Sequence, residues 1–202
     1  MSNQPMQHMT GWPVQTDQEL IDRFQQGDES TFDELVRRHE QRIRTLCGCY
    51  LSDPQDVQDA AQETFIRAFR GLRSFRPEAR FSTWLFRIAI HTSLNQVRSR
   101  RRRGWMQAFS RLPGMEDQIV TSGTGAPTPL EEVERAEQQR LIRAALDSLP
   151  EEQRTAVILH RFHGLKYQEI ADATGSSLAA VEARIHRAKG RLAVLLADYM
   201  KE

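Results

Sequence analysis

Cysteine is scarce in this sequence. Cys47 and Cys49 are the only two cysteines in 202 residues. Two positions apart on a helix, they point about 200° away from each other and cannot chelate one ion together. Cys47 falls on the apolar stripe Ile43, Leu46, Cys47, Tyr50. A buried small hydrophobe is therefore expected there rather than a redox switch. No apolar run approaches the eighteen or so residues of a membrane span, and no signal peptide opens the chain. A reducing cytoplasm is the expected setting. Also missing are a glycine-rich phosphate loop, a nucleophile with its base, and a cluster of metal ligands. His160 and His163 have a three-residue helical spacing, but no cysteine or acidic pair beside them completes a site. The expectation is a protein that is not an enzyme and holds no cofactor and no metal.

Net charge is scarce too, at +1, but it is sorted along the chain. Residues 53–63 are acidic, 98–111 strongly basic and 131–137 acidic again. Sorted blocks under a neutral total imply distinct surfaces, one of them for phosphate. The most informative stretch runs from Ser82-Thr83-Trp84-Leu85-Phe86-Arg87-Ile88-Ala89-Ile90 into Arg98-Ser99-Arg100-Arg101-Arg102-Arg103. Aromatic rings that can stack on bases lead without a break into guanidinium groups that can neutralise phosphates. That pairing suits a protein that grips and opens nucleic acid.

Alternating strand patterns are absent, and helical periods fill the chain. Thr16-Asp17-Gln18-Glu19 is a capping box ahead of Leu20, Ile21 and Phe24. Phe32, Leu35, Val36, His39, Ile43 and Leu46 form a second stripe. Asp53-Pro54 starts a third helix, on which Val57, Ala61, Thr64, Phe65, Ala68, Phe69 and Leu72 face inward. A loop over 71–79 leads to a helix over 82–103, with Trp84, Leu85, Ile88 and Ala89 inward. Residues 1–15 read as disordered. Residues 104–129 hold Pro113, Gly114, Gly123, Gly125, Pro127 and Pro129 and read as a flexible linker, except that Trp105, Met106 and Phe109 either dock on a neighbour or extend the preceding helix.

A second helical domain occupies 130–202. Helices are expected over 131–149, with Val133, Leu141, Ile142, Ala145 and Leu146 inward, and from Pro150 through Phe162, with Ala156, Val157, Leu159 and Phe162 inward. The run from Tyr167 to Ile185 has a helix-turn-helix pattern. Ala171 is small where two helices cross, Gly175 suits a left-handed turn, and Ser177 can cap the second helix. Val181 and Ile185 anchor that helix and leave Arg184, His186, Arg187, Lys189 and Arg191 for DNA. The fold class is all-α: a helical bundle over 16–103 and a helix-turn-helix domain over 130–202, joined by a linker that lets them move.

Both halves resemble a group IV, extracytoplasmic-function sigma factor of the sigma-70 family. Asp56-Val57-Gln58-Asp59-Ala60-Ala61-Gln62-Glu63-Thr64-Phe65 resembles the segment that binds the β′ clamp helices of core RNA polymerase. Phe81-Ser82-Thr83-Trp84-Leu85-Phe86-Arg87-Ile88-Ala89 resembles the promoter-melting segment. Leu149-Pro150-Glu151-Glu152-Gln153-Arg154, then Gly164-Leu165-Lys166-Tyr167-Gln168-Glu169-Ile170-Ala171, resembles region 4. The family often places Asn and Asp where this chain has His91 and Asn95. It often reads Gly-Thr-Val-Arg-Ser-Arg where this chain reads Ala179-Ala180-Val181-Glu182-Ala183-Arg184.

The resemblance implies three sets of site residues. Asp56, Asp59, Gln62, Glu63 and Phe65 would bind polymerase; an acidic face wants a basic protein rather than DNA. Phe75, Arg76, Phe81, Trp84, Arg87, His91, Asn95, Arg98, Arg101 and Arg102 would read and open the downstream promoter element. Phe75 and Phe81 would line a pocket for a flipped base or serve as plain core, and Trp84 leans to core. Ser176, Ser177, Ala180, Glu182, Ala183, Arg184, His186 and Arg187 would bind the upstream element. The implied partners are core RNA polymerase (β′ clamp helices and β flap), promoter DNA and an anti-sigma factor, with no membrane insertion. The alternative is a helix-turn-helix regulator acting without polymerase, which needs neither the acidic block nor the melting segment.

Overall fold

The computed structural model describes residues 15–108 and 140–197, without the side chains of 101–108 and 196. Eight helices follow in order: α1 (Asp17–Gln25), α2 (Thr31–Gly48), α3 (Pro54–Leu72), α4 (Phe81–Ala108), α5 (140–147), α6 (Glu151–Val157), α7 (Tyr167–Thr174) and α8 (Leu178–Ala197). A π-helical turn, Ile158–Phe162, extends α6. Among the described residues there is no strand.

The starts and stops follow local chemistry. The Thr16 hydroxyl accepts from the Glu19 amide, and the Glu19 carboxylate accepts from the Thr16 amide at 2.6 Å. Asp53 caps α3 through the Gln55 amide, with Pro54 as the first helical residue. Gly175 ends α7 at φ +64°, a conformation that costs a Cβ-bearing residue about 1 kcal/mol or more. Ser177 Oγ then accepts from the Ala180 amide and starts α8.

In the N-terminal bundle, α2, α3 and α4 pack around Leu35, Ile43, Leu46, Leu72 and Leu85, all fully buried. Each such side chain contributes roughly 1.5–3 kcal/mol by leaving water. The second bundle, α6 to α8, has a smaller core of Ile158, Leu159, Ile170, Ala171, Val181, Ile185 and Ala188.

The two bundles are docked on each other. α2 carries no basic residue in its last turn, so the carbonyls at its C-terminal end lack a nearby cation. The second bundle supplies two. Arg143 donates to the Gly48 and Leu51 carbonyls and to Ser52 Oγ at 2.8 Å. Arg154 donates to the Cys49 carbonyl at 2.5 Å and lies over the Tyr50 ring. The Tyr50 hydroxyl donates to Thr155 Oγ1 at 2.9 Å. On α4, Phe86 packs on His163, ring centroids 5.0 Å apart, and the Arg42 guanidinium lies over the Phe86 ring.

Several sequence expectations are corrected. α4 runs to Ala108, so the helix enters the segment read as linker. The rest of the 104–129 linker, residues 1–14 of the disordered terminus, and 131–139 with Val133 lie outside the described residues. Phe162, read as inward, is 44% exposed because the wider π turn rotates it off the α-helical stripe. Ile142 is 40% exposed, a turn ahead of the buried Ala145, Leu146 and Leu149. Phe69 is 37% exposed and stands at the edge of the core.

Candidate polymerase and nucleic-acid surfaces

Three surfaces emerge from these helices. The first is an apolar groove between α2 and α3, about 710 Å³, lined by Phe32, Val36, Phe65, Ile66 and Phe69, with Gln58, Gln62, Glu40 and Arg44 on its rim. It exists because α3 carries more apolar side chains than one neighbour can cover. Ala60, Ala61, Thr64 and Ala68 are buried, while Phe69 and Ile66 are left partly outside. The Phe69 ring meets Phe24 and Phe32 edge-on, each at 5.2 Å, which fixes the groove wall.

The acidic residues beside this groove are not a free anionic face. Asp56 and Asp53 both pair with Arg100 of α4, and only 15% of the Asp56 side chain is exposed. Glu63 pairs with Arg67 at 2.6 Å, and Asp59 accepts from Gln55. Arg100 lies 44 or more positions away in sequence and folds back onto this block. Gln62 is exposed and Glu63 and Phe65 are half-buried. Ile66 and Phe69 were missed as surface residues. Their signal was the excess width of the α3 stripe.

The second surface is the outer face of α4. Leu85, Ala89 and Thr92 are buried. Phe86 and Ile90 carry a second buried face, which the sequence reading overlooked. The remaining sector presents Arg87, His91, Asn95 and Arg98, all exposed and spaced three or four apart. Arg98 donates to Glu151 at 2.7 Å, and Arg80, before the helix, pairs with Glu169 at 3.2 Å. Arg101 and Arg102 lie on the described backbone of α4, but their side chains are outside the described set.

The loop leading into α4 is closed by its own rings. Phe75 and Phe81 are buried, and Trp84 is half-buried against both, at 5.0 and 5.8 Å. Gln25 Nε2 donates to the Phe75 carbonyl, and a Cβ at Gly71 would come within 3.1 Å of the Trp84 ring. Phe75 and Phe81 thus sit as core here, with Arg76 exposed beside them.

The third surface is α8. Val181, Ile185 and Ala188 are buried. Ser177, Glu182, His186 and Arg187 are exposed, and Ser176, Ala180 and Ala183 are half-buried. Arg184 is not among the free cations. Its guanidinium donates to Glu152 at 2.9 and 3.1 Å and to Ser176 Oγ at 2.8 Å, and 18% of its side chain is exposed. It ties α8 to the start of α6 and to the turn.

The two cysteine thiols are unreactive. Burial pushes the Cys47 thiol up to about 11, and does the same to Cys49 against the opposing charges of Arg143 and Arg154. Neither is a thiolate near neutrality. His160 Nδ1 faces the Leu165 carbonyl at 3.0 Å, and His163 packs on Phe86.

Comparison with known proteins matches both halves. The sigma-70 region 2 model covers residues 35–103, and the sigma-70 region 4 model covers 139–192. The chain is 36% identical to the RNA polymerase sigma-H factor of Pseudomonas aeruginosa, over 92% of this chain and 96% of that one. It is 35% identical to the ECF RNA polymerase sigma-E factor of Haemophilus influenzae, over 86% and 92%. A solved structure of CnrH in complex with the cytosolic domain of CnrY superposes with a TM-score of 0.67 at 27% identity, covering 90% of this chain and 97% of that one. Full-length likeness to these relatives, together with both regions in their proper order, makes this chain a member of the extracytoplasmic-function group of sigma-70-family RNA polymerase sigma factors.

Proposed function

We propose that the chain binds core RNA polymerase and directs it to a promoter, using the α2/α3 groove for polymerase and the outer faces of α4 and α8 for DNA. It acts in the cytoplasm and catalyses no reaction of its own. The observation that carries this reading is the groove. A regulator that only binds duplex DNA has no use for an exposed apolar cleft on the domain that does not carry its helix-turn-helix. Gln62, Phe65, Ile66 and Phe69 supply the contact area for the β′ clamp helices, with Glu40 on the groove rim, Asp59 and Glu63 further round α3, and Asp56 bracing α3 against Arg100. The residue sets of regions 2 and 4, and the domain limits 16–103 and 130–202, follow from this assignment.

On α4, His91 and Asn95 offer hydrogen-bonding groups to exposed bases, and Arg87 and Arg98 neutralise phosphates. Opening the Phe75–Phe81–Trp84 cluster would let a base unstacked from the promoter enter among the rings. Relatives have been solved with inhibitors bound, among them a sigma factor RpoE in complex with the anti-sigma factor NepR from Bartonella quintana. An anti-sigma factor fits this chain in one specific way. The docked bundles leave the groove and the outer face of α8 exposed, so an inhibitor must cover those surfaces itself.

Purified chain is expected to co-elute with core polymerase and to start transcription at discrete sites on fragments of its source genome. Failure to bind core, with duplex binding intact, would select the plain regulator. Replacing the exposed Gln62 and Ile66 together with Lys should abolish co-elution without loss of helicity.

A further inference from the structure

Glu182 occupies an unusual position for a protein meant to meet DNA. Three features of α8 converge on it. First, the sector opposite the buried Val181, Ile185 and Ala188 is built of Ala179 and Ala183, with Gly190 further on. Such small side chains let the helix backbone approach a groove floor closely, and their methyl groups suit contact with thymine. Second, Arg184 is turned away into its bonds with Glu152 and Ser176. Within the first two turns, residues 178–184, Glu182 is then the one exposed side chain bearing a hydrogen-bonding group. Third, Glu182 makes no hydrogen bond or ion pair among the described residues, although Arg187 and Lys189 are near in sequence. Its carboxylate is uncommitted.

We infer that Glu182 is a specificity-determining residue of the upstream element, accepting a hydrogen bond from the exocyclic amino group of a cytosine in the major groove. This rests on the proposed role of α8 in promoter recognition and goes a step further, to the base read. A carboxylate beside DNA is repelled by phosphates and by the acceptor edges of guanine and thymine, so binding is favoured where an amino donor faces it. Cytosine presents that donor without a neighbouring acceptor on the same base, which adenine does not. Arg187, Lys189 and Arg191 offset the phosphate repulsion without reading sequence.

The test uses holoenzyme assembled from the full chain and core polymerase, with a promoter pool randomised across the upstream element. The parent should enrich a cytosine at one position. E182A should lose discrimination at that position alone, by roughly 5- to 150-fold, the worth of one base contact. E182Q should move the preference at the same position to adenine, because an amide can both donate and accept. Thermal unfolding followed by circular dichroism should be unchanged, since the side chain is exposed. If the parent selects an upstream sequence and E182A and E182Q select the same one, this inference is overturned while the sigma-factor reading stands. If the parent forms no initiating complex on any sequence, both fall.

Discussion

α4 and α8 both present arginines paired to carboxylates, yet the pairs differ in kind. Arg98 and Glu151 are 58% and 45% exposed in their side chains, and the two residues come from different bundles. Exposed pairs of this sort contribute about 0–1 kcal/mol. Phosphate can replace such a carboxylate at almost no cost, so Arg98 remains available to DNA. Arg184 is 18% exposed and holds three hydrogen bonds within its own bundle. Freeing it would leave the turn and α6 without their tie. The difference is one of burial: Arg184 is held inside its own bundle, and Arg98 is not.

The largest break in this picture would come from Phe86→Ala. The ring is fully buried in contact with Arg42 and His163, so the loss should be about 3–5 kcal/mol in chemical denaturation. It should also loosen the two bundles, read as a larger radius of gyration in small-angle scattering.

His163, on the other side of that contact, should make the docking acid-sensitive. Burial, aided by the charge of Arg42, lowers its pKa to about 4 from the ordinary 6.5. The unfolded chain therefore takes up the proton first as pH falls. Stability should be full above about 6.5 and decline toward 4, by about 2 kcal/mol given the partial exposure of the ring. His163→Leu should flatten that part of the stability–pH profile.

Arg184→Ala is next, at about 1–2 kcal/mol of stability, discounted because Glu152 is 70% exposed. Thermal unfolding should register it. Arg98→Ala should be the smallest of the four, within about 1 kcal/mol, and Glu151→Ala the same.

Much of this arrangement is legible in the sequence, and the exceptions have physical causes. The capping box at Thr16, the Asp53-Pro54 start and the left-handed Gly175 depend on neighbours a few positions away, and each is present. Cys47 is buried on its stripe as the spacing implies. What depends on distant residues was hidden. Arg100 reaching Asp56, Arg184 reaching Glu152 and Arg143 closing the end of α2 join positions 32 or more apart, and periodicity carries no information about such pairs. The second buried face of α4 did leave a trace. Phe86 and Ile90 follow Leu85 and Ala89, a width that one neighbouring layer cannot cover. Phe162 was misplaced because a π turn cannot be told from an α turn by apolar spacing.

The most direct test of the contrast is the salt dependence of binding to a promoter fragment with a pre-opened bubble. Holoenzymes carrying the parent chain, Arg98→Ala and Arg184→Ala would be titrated across a range of ionic strength. Each lost phosphate contact lowers the slope of log affinity against log salt by roughly 0.7–0.9. Arg98→Ala is predicted to flatten the slope by that amount, with stability unchanged, and Arg184→Ala to leave the slope as it is while lowering stability. The reverse pattern, a flattened slope for Arg184→Ala and none for Arg98→Ala, would contradict the account.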